Sequence, residues 1–591
     1  MDHGEHSLFT RRQLLQPAAV GTALSALASL PALAADHEPI RSSDGDAVPP
    51  KKSTILTVGQ RSGADVVIPD PTNADTTTTA LQAALDSSST LELLLLNDNP
   101  DADGHTTYLI RQLLLRDVTY KSIKGQDGVV LKQGDHTDGS DGTSGHMFVN
   151  RNNLGARESF GTLIFDNLIF DRNYHNQQEA DVNFSVVYLT SGADGVVYGV
   201  QPGEITYHYV EVINCRFINV GWRRTRGGNG PNQGAFFVNN CNTAKFTGII
   251  KGDITDGVIV TARCNDVLFD YVEGLRGRCE VFAIFFCKRV NGRDVYATDH
   301  GFSIKACEQV NINRVELRPT IFNVTHVVSN SEFGLDFWET QFDSRIENVL
   351  SVIWITGNNR NTEQLVGTYD ASTQTIALQC PASSPIQVGD TLAVIGSGMM
   401  FGKNSGTPFI DGSNYMFNSL DIEHYPLSGA TSGQIELQHQ KGFIARRVRI
   451  KGGAGTGFSV NADSDGVCLG CVDIEDLAGT GVFSYSGIAI KGGTIKDVAA
   501  SGGHASGIRL EGNDGSVMDG VVLENTNKGI RVGNSCDNIV SKCRIKQCNV
   551  GVETTGTSDY NMITSCNLRD TGEAVNLVGS SNCTANNILG P

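Results

Sequence analysis

Between residues 233 and 331 one short pattern keeps restarting. AFFVNNCNTAKF follows Gly234, VIVTARCNDVLF follows Gly257, VFAIFFCKRVNG follows Glu280 and FSIKACEQVNIN follows Gly301. Each line is a short β-rich run that turns at a cysteine and begins again after roughly 22 residues, the signature of a solenoid. Cys241, Cys264 and Cys287 share one place in the repeat, Cys307 takes it next, and Ser331 in the line from Val324 is read as the fifth occupant. No amphipathic helix interrupts the runs. The expected fold is therefore all-β: a right-handed parallel β-helix in which each rung bonds to the rungs above and below.

The repeat returns late in the chain. SGIRLEG, KGIRVGNSCDNIVSKCRI and VGVETTGTSDYNMITSCNL recur at about the same period, and Cys543 and Cys566 again share a place. Between the two halves, residues 357–440 lose the period, and TIALQC, VGDTLAVIG and SGQIELQHQ alternate like antiparallel strands. This stretch is expected to be a small β-insertion. Near the start, Asp75 and four threonines lead into Ala80–Leu85, a helical run suited to covering the open end of a solenoid. The expected organisation is a leader at 1–35, a linker at 36–52, cap and coils at 53–356, insertion at 357–440 and coils at 441–591.

The leader carries Arg11-Arg12, an apolar stretch over 18–30 and an Ala32-Leu33-Ala34 cleavage site. That order predicts export by the twin-arginine route to the periplasm or beyond. No later stretch is long and apolar enough to span a bilayer, so no stable membrane anchor is expected. All fourteen cysteines lie beyond residue 214, mostly at coil spacing, where they read as small buried hydrophobes. The formal charge of −18 argues against a nucleic-acid partner. Locally the sign reverses: residues 215–320 hold fifteen Lys/Arg against ten Asp/Glu, a surplus of +5 that points to an anionic ligand. Trp222, Arg223, Arg224, Arg226 and Arg263 are the expected substrate-binding groups there, Trp as a stacking face and Arg as a carboxylate fork.

Register also picks out a corner. Gln233, Asp256, Arg278 and His300 fall just before successive strands, with Glu280 and Asp299 beside the last two. Rungs stack about 4.8 Å apart, so these side chains are expected to form one polar cluster fit for proton transfer. Farther on, Asp336, Trp338 and Glu339 offer carboxylates beside an aromatic, which suits a sugar subsite.

Thr255-Asp256-Gly257, Cys279 and His300-Gly301-Phe302-Ser303-Ile304 resemble the central motifs of the polygalacturonase-type glycoside hydrolases (family 28), within the pectin-lyase-like β-helix superfamily. Asp256 and His300 match that pattern, while its Asp-Asp pair falls on Gly277-Arg278. Loss of the pair removes the acid an inverting hydrolase needs. The resemblance implies a carbohydrate-active enzyme on a polysaccharide or oligosaccharide. The superfamily's other chemistry, β-elimination on a uronate-containing glycan, then becomes the expected reaction. Arg278 or His300 is the expected base, Lys305 the group that neutralises the uronate, and Asp256 and Asp299 orient the base or hold Ca²⁺. A hydrolase or glycosyl-transferring enzyme built on other carboxylates, and a non-catalytic glycan-binding protein, stay open, as do the metal and the oligomeric state.

Overall fold

The structure, a computed structural model, describes residues 53–590 except 69, 117, 136–144, 151–159, 174–175, 177–184, 190–206, 222–234, 256, 276–280, 299–300, 337–350, 361, 371–372, 374, 395–397, 403–410, 424–432, 454, 499–504 and 580. Successive coils pair in parallel. One sheet of 15 strands and one of 27 wrap a single continuous core. In the smaller sheet Phe236 lies opposite Ile259, Ile259 opposite Phe282 and Phe282 opposite Phe302. Residues alternate about the pleat, so Phe236, Val238, Ile259, Phe282 and Ile284 point inward and are fully buried. Each such side chain contributes about 1.5–3 kcal/mol of burial, repeated rung after rung.

The cysteine ladder is a corner. Asn240, Arg263, Phe286 and Ala306, which precede Cys241, Cys264, Cys287 and Cys307, all have φ near +55°. The left-handed residue turns the chain between sheets and drops the following cysteine into the core. Three of these thiols donate back two residues, Cys264 to the Ala262 carbonyl, Cys287 to Phe285 and Cys307 to Lys305. The cysteines among the described residues are free thiols. Burial pushes Cys215, at a turn between two strands of the 27-stranded sheet, up to about 12, so it stays protonated and unreactive.

The ladder's next occupant is Gly412, which corrects the reading of Ser331. Ser413 N bonds to the Cys307 carbonyl just as Glu308 N bonds to that of Cys287. A Cβ on Gly412 would lie 2.8 Å from the Tyr415 hydroxyl, which fills the place of the missing thiol. Ser331 instead sits in a hairpin between Ile321–Ser329 and Glu332–Leu335.

That hairpin opens the insertion, which is a closed six-stranded barrel running from Ile321 to Val394. Its boundaries therefore lie earlier than 357–440. SGQIELQHQ contains a solenoid strand, Gly433–Gln438, and the coils resume with Met399–Gly402 and Gly412–Glu423. The long stretches that separate these strands hid their period. Phe333, Trp354, Ile376 and Leu392 form a separate barrel core. Coil register is unbroken across the insertion: Ile304 lies opposite Phe401 and Val315 opposite Leu420.

The expected helix is Ala74–Asp86, capped by Asn73, whose side chain accepts from Thr76 N. Leu81 and Leu85 join the core of the first coils. Lys121, buried under the helix end, donates to the Leu85 and Arg116 carbonyls and satisfies groups that would otherwise be orphaned.

Candidate functional site: the outward side of the 15-stranded sheet

This side changes character along the solenoid. Over the early coils it is apolar and dry: Phe237, Val260, Ala262, Ala283 and Phe285 point away from the core yet are at most 1% exposed. His146 stacks on Tyr188 at 4.4 Å, and Tyr188 on Phe237 at 4.8 Å. Asn239, in the row of Ala262 and Phe285, is a buried polar group there, and Ser303 and Lys305 follow in the same rows. Lys305 is half-buried, with Phe285 on the rung before it and Gly402 on the rung after. Its ammonium has no hydrogen-bond or ion-pair partner among the described residues.

Later rungs carry planar polar and aromatic groups. Glu436 accepts from Gln438 Nε2 at 2.7 Å and Asn461 Nδ2 at 3.4 Å. Phe483 meets Tyr485 edge-on at 4.6 Å and lies under the Arg509 guanidinium at 5.0 Å. Arg509 donates from Nε and Nη2 to Glu511 Oε2. Arg531, on the next rung, pairs with Glu553 at 3.4 Å, and Lys528 pairs with the same carboxylate at 2.5 Å. The sequence reading missed this row. Its signal was the alternation inside two quoted repeats, Ile508-Arg509-Leu510-Glu511 and Ile530-Arg531-Val532-Gly533, which places both arginines at one outward position.

Most of the expected site residues lie outside the described residues: Asp256, Arg278, Asp299, His300, Trp222, Arg223, Arg224, Arg226, Trp338 and Glu339. The strands those corner residues precede, Ile259–Ala262, Phe282–Phe285 and Phe302–Lys305, are consecutive rungs of this sheet. The barrel occupies the same corner of the next coil, between Gln309–Arg318 and Met399–Gly402. It reaches toward later coils, where Arg360 pairs with Asp476 at 2.5 Å.

Two described residues fall elsewhere than expected. Arg263 follows its strand, at the left-handed corner opposite the Asp256 end, with its guanidinium 5.1 Å from the Phe286 ring. Burial lowers its pKa. Asp336 belongs to the barrel, where it accepts from the backbone and side-chain amides of Asn323. Several cations of residues 215–320 are paired with carboxylates. On the 27-stranded sheet Arg216 pairs with Asp253, Lys245 with Glu211, Lys251 with Glu273, Arg289 with Asp266 and Arg293 with Asp270. Two of the cations pair with acids outside that window, Lys245 with Glu211 and Arg318 with Asp421. Among the described residues, no three His, Cys, Asp or Glu gather to hold a metal ion.

Residues 405–588 match the family model described as right handed beta helix region. No curated protein sequence matches the chain. Among solved structures, the A-module of the Azotobacter vinelandii mannuronan C-5 epimerase AlgE6 is similar at 10% identity, with 88% of this chain and 96% of that chain covered and a TM-score of 0.22. A likeness of that order carries no argument about chemistry. With its parallel register, its single wrapped core and the family match over the later coils, the chain has a right-handed parallel β-helix fold.

Proposed function

We propose that this chain is an exported carbohydrate-active enzyme that lays a polysaccharide along the outward side of the 15-stranded sheet, and that it cleaves a uronate-containing glycan by β-elimination. The observation that carries the reading is Lys305. Many cations on the neighbouring sheet pair with carboxylates, whereas Lys305 has none among the described residues and faces a rung whose Gly402 leaves room. An ammonium held half-buried against Phe285 without a counter-ion suits a substrate carboxylate. In this reading the carboxylate meets Lys305, which stabilises charge as the α-proton leaves. Arg278 or His300, from the corner preceding these strands, takes that proton, and Asp256 and Asp299 orient the base.

The test is a screen of the chain from Asp36 on acidic and neutral polysaccharides, following ultraviolet absorbance and reducing ends together, with and without a calcium chelator. Both signals rising on a uronate polymer support the lyase, and Lys305→Gln is then expected to lower turnover about a hundredfold. Reducing ends without absorbance would replace the lyase by a hydrolase. Binding without product would make the protein a glycan-binding one.

A further inference from the structure

We propose that Tyr485, Arg509 and Glu511 form a remote subsite that reads the hydroxyls of an uncharged sugar face, and that this subsite makes the protein selective for long chains. The inference rests on the reading above, that a glycan runs along this sheet, and adds a second contact point of different chemistry.

Tyr485 is 37% exposed, whereas the earlier outward rings Phe237 and Phe285 are dry. Its edge-on contact with Phe483 fixes the ring while leaving area open for stacking. One rung on, Arg509 is clamped from two sides, by the Phe483 ring beneath it and by Glu511. Both contacting nitrogens, Nε and Nη2, go to a single oxygen, Glu511 Oε2, so Nη1 stays uncommitted among the described residues. Glu511 Oε1 is held in turn by Asn534 Nδ2 at 3.0 Å. The carboxylate lies over Gly533, where a Cβ would sit 2.8 Å from Oε2. Glycine thus makes a notch in the row between Glu511 and Thr555, and the carboxylate lines it.

The pairing decides the ligand. Arg509 already has its counter-charge, so a second carboxylate would compete with Glu511. A diol would not compete, because it accepts from Nη1 and donates to Glu511 through neighbouring hydroxyls. Planar donors and acceptors beside an exposed ring are the groups that recognise a pyranose by stacking and hydroxyl bonding. Lys305, without a carboxylate among the described residues, is the opposite case.

Distance then gives selectivity. Tyr485 lies four rung steps from the Lys305 strand, about 19 Å, and Arg509 five steps, about 24 Å. A sugar dimer at Lys305 cannot reach either; an octamer can.

The experiment measures binding of dimers and octamers of galacturonate, mannuronate and xylose to the full chain by calorimetry. Wild type, Tyr485→Ala and Arg509→Lys are compared, and each variant's melting temperature is recorded to report folding. For an octamer that binds wild type, Tyr485→Ala is expected to raise Kd about five- to tenfold. Arg509→Lys, which keeps the charge and loses the fork, is expected to raise it about tenfold. Dimer affinity stays unchanged, and the octamer losses persist at high salt. Octamer binding equal to wild type in both variants would overturn this subsite and leave the enzyme reading intact. Losses that vanish in high salt would replace hydroxyl recognition by charge attraction. Failure of wild type to bind any octamer would overturn both readings.

Discussion

Single residues in this solenoid carry constraints that recur at every coil, and His146 is the most exposed to pH. It is buried, accepts from Ser185 N through Nδ1 at 2.8 Å and stacks on Tyr188. Burial holds its pKa down to about 3. The imidazole is therefore neutral in the folded chain while the unfolded chain protonates near the ordinary histidine value. The resulting stability is full above about pH 6.5 and is lost as pH falls, by about 1.4 kcal/mol per unit, until the folded value is reached. His146→Gln is expected to flatten the melting temperature between about pH 6.5 and pH 4. A profile that falls as steeply as wild type would remove His146 as the titrating group. The ladder cysteines were legible in sequence because one small residue type fits one corner. The left-handed residues before them were not, since Arg263, Phe286 and Ala306 lack the glycine or asparagine signature of that conformation.

Among elements, the outward row of the 27-stranded sheet shows what adjacent rungs do with charge. Glu423 lies opposite Lys451, Lys451 opposite Glu475, Glu475 opposite Lys496, Lys496 opposite Glu524 and Glu524 opposite Lys546. Arg318 joins the row through its contact with Glu423 at 3.5 Å. Strict alternation leaves no net field for a ligand and penalises slips, because a coil added or lost would set like charges opposite each other. Glu423→Lys is expected to cost about 1 kcal/mol at low salt, with most of the loss recovered at high salt, as read by denaturant midpoints. An equal loss at both salts would assign the effect to packing. The same pattern limits what a charge count along the sequence can show. Coil period and strand entry corners are local properties and could be read from sequence. The ion pair of Arg318 with Asp421 joins residues separated by the whole barrel, so the window count registered the cation without its partner.

At the level of the whole molecule, the barrel is an addition that the stack does not need. Val315 meets Leu420 in the same register in which Val295 meets Val315. Replacing residues 321–394 with a short Gly/Ser linker is therefore expected to preserve parallel β-sheet circular dichroism and a cooperative melt. Loss of the melt would make the barrel part of the solenoid's fold. Its first and last strands pair, Ile321 with Ala393, so the barrel returns the chain close to where it left.

That closure has a consequence in time. Growing the stack past Gln309–Arg318 means finding a partner across a loop about five times longer than an ordinary coil step, an entropic cost of about 1.5 kcal/mol. Once the barrel has formed, most of that loop is already closed and the search shortens to near the usual length. The order of events then matters: a chain whose barrel folds late stalls with half a solenoid and an unpaired strand edge in water, the state most apt to join another molecule. A defect confined to the barrel core at Trp354 would thus appear first as lost yield during refolding, well before it altered the finished structure.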